Sequence, residues 1–149
     1  MKNVNRLFVI IAIIILVIIG RYFMAQNEVT KIPEVTAVTN EQTIETVRGS
    51  YCWHSAGVAE CFDTAAPHEM ILSQKTPYVK VQPGEVMEFQ YSQNVTSVSI
   101  QQWIEDYDYK EIATSTRFTA PMEKGTYIIS SMARFSNGDV TDSIAIEVE

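Results

Sequence analysis

The chain has 149 residues, 46% of them hydrophobic and 19% charged, with a formal net charge of −7. That length holds one ordinary domain plus a short appendage. Residues 1–25 carry Lys2, Arg6 and Arg21 and no acid, whereas from Glu28 onward eighteen Asp and Glu stand against eight Lys and Arg, a net of about −10. A part so acidic, without a cluster of cations, repels phosphate backbones and anionic headgroups, which excludes nucleic acid as a partner.

The first element is apolar. Leu7 to Ile19 is an unbroken run of thirteen residues, a helix of roughly 20 Å and the length of a signal-peptide core. Continued to Ala25 it reaches about 28 Å, close to the hydrocarbon thickness, if Arg21 snorkels to the interface beside Tyr22 and Phe23. Phe23 is a poor −3 residue for cleavage after Ala25, and no cysteine follows the run for lipid attachment. The expectation is an uncleaved signal anchor over residues 1–25, in the membrane through residues 7–25. Lys2, Arg6 and the terminal amine precede the span, so the N-terminus is cytoplasmic and the acidic part is outside the cell membrane. Residues 26–46 ("QNEVTKIPEVTAVTNEQTIET") are rich in Thr, Glu and Val, lack clear periodicity, and are expected to form an extended stalk, with at most a first strand at its end.

"RGSYCWHSAGVAEC" contains both cysteines of the chain. Outside the membrane, two cysteines suit a disulfide. Joining Cys52 to Cys61 closes a ten-residue loop and contributes about 2.5–3 kcal/mol if unstrained, and Gly57 helps the chain turn back. The competing reading is a copper or zinc site assembled from Cys52, Cys61, His54, His68 and Met70, whose sulfur and imidazole donors suit soft metals; no compact ligand spacing supports it. Redox exchange has no C-x-x-C to rest on. Tyr51 and Trp53 point to one side of a strand and Cys52 to the other, so the aromatics are either cover for the core or an exposed platform. "PHEMILS", Pro67 to Ser73, is read as a short helix or turn.

From Val81 the pattern is that of strands. Pro83-Gly84 marks a turn, and Met87, Phe89 and Tyr91 alternate with Glu88 and Gln90. In "VTSVSIQQWI", Val98 and Ile100 share a face until Gln101-Gln102 breaks the alternation, as a bulge would. "EDYDYK" is expected to be a polar turn; it lacks the ligand spacing of a calcium loop. With Trp103 it places Tyr107 and Tyr109 on a candidate binding surface together with Tyr51 and Trp53. "RFTAP" is a short strand stopped by Pro121. Two alternating runs, Tyr127 to Phe135 and Val140 to Val148, flank Asn137-Gly138-Asp139, a strong hairpin signal. Strands with one apolar face are satisfied by two antiparallel sheets packed face to face. The fold class is all-β: an antiparallel sandwich over residues 47–149, preceded by one N-terminal helix.

"V-x-PG" before a strand, "F-T-A-P", "GTY" and a final "I-x-IEV" resemble the small immunoglobulin-like or fibronectin-like sandwiches of bacterial surface proteins, over roughly Tyr78 to Glu149. "GSYCW" followed by a second cysteine and a proline is similar to small Firmicutes envelope proteins. These resemblances imply a fold and a location and transfer no activity. The sequence has no nucleophile elbow, no phosphate loop, and both histidines lie near the cysteines. The functional expectation is a non-catalytic binding or scaffolding module of the cell envelope that requires no cofactor and meets a protein partner through loops or a sheet edge. The runner-up is a metal-handling or redox accessory protein. A third reading, a secreted inhibitor or carbohydrate binder, needs cleavage near Ala25 and an exposed Trp53.

Overall fold

The computed structural model describes residues 10–21, 31–105 and 107–149. Residues 10–21 form a helix, α1, every residue of which is exposed. Among the described residues no helix is long and apolar enough to cross a membrane; residues 7–9 and 22–25 of the expected span lie outside them.

The remaining described chain is all-β with one short helix. Its elements are β1 (Val35–Val38), β2 (Thr43–Glu45), β3 (Val47–Ser55), β4 (Val58–Phe62), α2 (Pro67–Ser73), β5 (Val79–Val81), β6 (Val86–Tyr91), β7 (Ser97–Glu105), β8 (Asp108–Ala113), β9 (Arg117–Thr119), β10 (Gly125–Phe135) and β11 (Gly138–Val148). The small sheet runs β2-β1-β6-β9 and the large one β4-β3-β11-β10-β7-β8. The free side of β11 is shared lengthwise: β3 pairs antiparallel with Gly138 to Ser143, and β5 pairs parallel with Ile146 to Val148.

Alternation explains the core. Ile129, Ala133 and Phe135 on β10 and Val140, Ile144, Ile146 and Val148 on β11 turn inward against Val35, Ala37, Met87, Phe89 and Phe118 of the small sheet. Phe89 stacks on Phe118 with centroids 5.6 Å apart, and Trp53 and Tyr91 each meet Phe135 edge-on. The opposite face of the large sheet is dry at one end, because α2 lays Met70 and Ile71 over Val47 and Ala145. Ser130 and Ser143, polar residues on that face, are buried and bonded to each other at 2.7 Å. A left-handed Lys75 ends α2, where the Thr76 and Lys75 amides donate to the Ile71 and Leu72 carbonyls in a Schellman arrangement.

Several expectations are met by particular elements. The short helix forms at Pro67–Ser73, β9 falls in "RFTAP", and β7 shifts register against β8 between Ile100 and Gln101, the expected bulge. Others are corrected. The stalk expected over residues 26–46 is folded from residue 31: Pro33, Val35, Ala37 and Ile44 are buried, and β1 pairs with β6 over four residues. Strands of four and three residues are too short to show a period, which is why the segment reads as a tether. "EDYDYK" is only partly a turn, since Asp108 to Lys110 begin β8. In the last hairpin Phe135 pairs with Gly138, so the loop is Ser136-Asn137 and Gly138 is already in the strand. Glycine stands there because a Cβ would collide with the Cys52 backbone carbonyl on β3.

Candidate functional site

Ser55-Ala56-Gly57-Val58 reverses the chain with both central residues left-handed, Ala56 at φ 50° and Gly57 at φ 79°, a type I′ turn whose twist matches an antiparallel hairpin. Because Cys52 and Cys61 stand equally far from that turn, the register places them opposite each other, and they form a disulfide. Their Cα atoms are 4.1 Å apart, the narrow pair type in which neither backbone group bonds across the strands. The next pair of that type is His54–Ala59, and the His54 amide accordingly bonds away from β4, to the Asn137 carbonyl at 2.8 Å. It follows that the amide and carbonyl groups of Ala59 and Cys61 point outward, past the rim of the large sheet.

All five residues of β4 are exposed. Val58, Glu60 and Phe62 lie on the same face as Tyr51 and Trp53. Phe62 stacks on Tyr51 (centroids 5.9 Å), and the Tyr51 hydroxyl donates to Glu60 Oε1 at 2.7 Å. Accepting that bond, the Glu60 carboxylate pushes the Tyr51 phenol above its usual range.

The other sheet rims differ from this one. Among the described residues β2, β5 and β9 have three residues each. β8 is longer but carries Asp108, Lys110 and Glu111 and has two register shifts against β7. Short, charged and bulged strands are the usual means of discouraging edge pairing. β4 has five uninterrupted pairs with β3, no cation, no proline, and a covalent staple.

The aromatics expected to share one surface are divided between separate places. Trp53 is 3% exposed and belongs to the core, so it forms no platform; its inward orientation on β3 is set by the same alternation that turns Cys52 out. Tyr51 sits on the stapled hairpin. Trp103, Tyr107 and Tyr109 are on the β7–β8 hairpin, with β11 and β10 between it and β3. Trp103 packs on Tyr109 at 5.5 Å, and with Tyr107, Met132, Met70 and Pro67 it lines a cavity of about 270 Å³ over the outer face of the large sheet. The indole Nε1 of Trp103 is buried without an acceptor.

The proposed metal donors do not converge on free thiolates. Both sulfurs are spent on each other, His54 is exposed on β3, and His68 and Met70 are on α2. Among the described residues no three or more His, Cys, Asp or Glu side chains are grouped to hold a metal ion.

A buried polar cluster went unseen in the sequence. Asp142, 2% exposed, faces inward on β11. Arg48 Nε lies 3.0 Å from its carboxylate, and Arg48 Nη2 donates to the Pro33 carbonyl at 2.6 Å. The Thr46 hydroxyl is 2.8 Å from the Val35 carbonyl and 2.9 Å from Asp142 Oδ1; its single proton serves one of them, and a protonated Asp142 would let it serve Val35 while accepting from the acid. Burial, opposed by Arg48 and Thr46, pushes Asp142 up to about 6. Tyr91, bonded to Ser131, is pushed up to about 12, mainly by burial. The cluster ties β1 and β3 to β11, with Asp142 buried and the Arg48 side chain partly open to solvent, so it is read as a structural tie. No alternation pattern announces an acid on an apolar face, whereas two cysteines with Gly57 between them do announce the staple.

No family model, curated protein or solved structure matches the chain.

Proposed function

We propose that the protein is a non-catalytic binding module of the cell envelope, held by an N-terminal anchor and docking a protein partner by strand addition onto β4. The observation that carries this reading is the contrast between rims: β4 alone among the described edge strands is regular, exposed over its length and covalently braced. A fixed row of outward backbone groups is what an incoming strand requires. The anchor is supported by the charge asymmetry about the apolar run and by α1, where nine large aliphatic side chains from Ile10 to Ile19 are between 44% and 69% exposed; that surface is stable only when lipid or protein covers it. The disulfide agrees with an oxidising compartment. An immunoglobulin-like identity is supported by the neighbours: β6 beside β9 in one sheet and β11-β10-β7 in the other correspond to the B–E and G–F–C pairs of that sandwich.

The test is photo-crosslinking in cells from a reactive residue placed at Val58, with and without Ala59→Pro. Proline at 59 removes an outward amide and no β3–β4 bond. The expected result is one reproducible adduct in the membrane fraction that disappears with Ala59→Pro. An absent adduct, or one indifferent to the proline, refutes the reading.

A further inference from the structure

Resting on β4 as the docking edge, we infer that the strand it accepts carries a Lys or Arg flanked two residues away on each side by apolar side chains, and that it belongs to a different protein, not to a second copy of this chain. On one face β4 presents Val58, 68% exposed, and Phe62, 58% exposed, with Glu60 between them. An added strand aligned over all of β4 places a side chain opposite each of these three, at Cβ separations of roughly 4.5–5.5 Å. Apolar residues opposite Val58 and Phe62 remove both from water. The residue opposite Glu60 meets an exposed carboxylate, only one of whose oxygens is engaged by the Tyr51 hydroxyl, 2.7 Å away, and a cation there adds an attractive cross-strand pair. The reverse face of β4 offers only Ala59 and Cys61, so it imposes little selection.

The same pattern disfavours self-association. Two copies paired antiparallel over the whole strand put Val58 opposite Phe62 but Glu60 opposite Glu60, and like charges directly opposed destabilise a ladder. The wider charge acts in the same direction. From Glu28 onward the chain carries eighteen acids against eight basic residues, which slows the approach of a second copy and speeds that of a basic segment.

The full-length protein in neutral detergent micelles is titrated with two blocked heptapeptides, acetyl-Thr-Val-Thr-Lys-Thr-Val-Thr-amide and its analogue with Glu in place of Lys, and amide shifts of Ala59 and Cys61 are followed by NMR. The Lys peptide is expected to bind about fivefold or more tightly than the Glu peptide. Glu60→Lys reverses the order, and high salt erodes the preference. Equal binding of the two peptides, unaffected by Glu60→Lys but lost with Ala59→Pro, overturns the inference and leaves the docking edge standing. If neither peptide shifts Ala59 or Cys61, the docking edge falls and the inference with it. A concentration-dependent dimer abolished by Ala59→Pro overturns the assignment to a different protein.

Discussion

Replacing both cysteines, Cys52→Ser with Cys61→Ser, separates a local role of the staple from a global one. A ten-residue loop contributes about 2.7 kcal/mol in the chain-entropy picture. Spread over the whole domain, that loss lowers the thermal midpoint by roughly 10 °C. The structure argues for a local effect. All five residues of β4 are exposed, and among the described residues the strand is otherwise held by its ladder, the Phe62–Tyr51 ring stack and the Tyr51–Glu60 bond. The stack is worth about 1 kcal/mol and the bond, exposed to water, adds little, against an ordering cost of about 1–2 kcal/mol per residue. Without the disulfide, β4 opens by itself while the core between the sheets persists. Hydrogen exchange on the double variant therefore shows the Val58, Glu60 and Phe62 amides, which face β3, losing protection by about 100-fold. The β10 and β11 amides keep theirs, and the midpoint moves by much less than the global figure. If β10 and β11 lose protection in step with β4, or if β4 loses none, the local account is wrong.

Ala56→Asn supplies the Asn-Gly pair that a type I′ turn favours and raises β3–β4 protection severalfold, equivalent to about 0.5–1 kcal/mol, read by the same exchange experiment. Gly138→Ala drives a Cβ into the Cys52 carbonyl and costs about 2–4 kcal/mol in urea unfolding, since the obstacle is backbone and cannot rotate away. Burial pushes the Asp142 carboxyl up to about 6, above its ordinary 3.8. The folded state thus binds that proton more tightly, and stability is lowest above pH 6 and rises as pH falls from 6 towards 4, by at most about 3 kcal/mol; Asp142→Asn flattens urea midpoints across that window. Trp53→Ala empties a core site packed on Phe135 and costs about 3–5 kcal/mol, while Tyr107→Ala, at an 82% exposed residue, stays within roughly 0.5 kcal/mol by thermal melting.

Legibility followed the length of each pattern. β10 and β11 could be read because eleven residues apiece give several turns of a two-residue period. β1 and β2 could not, because Val35 and Ala37, or Ile44 alone, give too little period to separate a strand from a tether. Ser143 reads as solvent-facing and is buried because α2 covers that face, a tertiary fact with no local mark. Of the site, the staple was legible from two cysteines in a part read as lying outside the membrane, with Gly57 between them to turn the chain; their symmetric register about the turn came from the structure. The split of the aromatics was not: Tyr51 and Trp103 belong to the same sheet with β11 and β10 between their strands, and strand order is a property of the whole chain. Asp142 was missed because a charged residue on an apolar face is expected only where a partner such as Arg48 reaches it, and Arg48 lies 94 residues earlier.

The position of the disulfide is itself informative. In the chain-entropy picture a staple stabilises the fold more the longer the loop it closes; here it closes a short hairpin and joins the outermost strand to its neighbour, and β4 adds nothing to the core. Its effect is to keep in place a strand whose side chains cannot hold it. A partner that adds to an already ordered strand is spared the cost of ordering it, and preorganisation of that kind raises affinity without adding contacts. The type I′ turn and the disulfide fix the two ends of the same ladder, leaving the outward amides of Ala59 and Cys61 between and beside them in one geometry. The hairpin is therefore rigid where it is bare, and that combination is what separates β4 from the short or charged strands at the other rims.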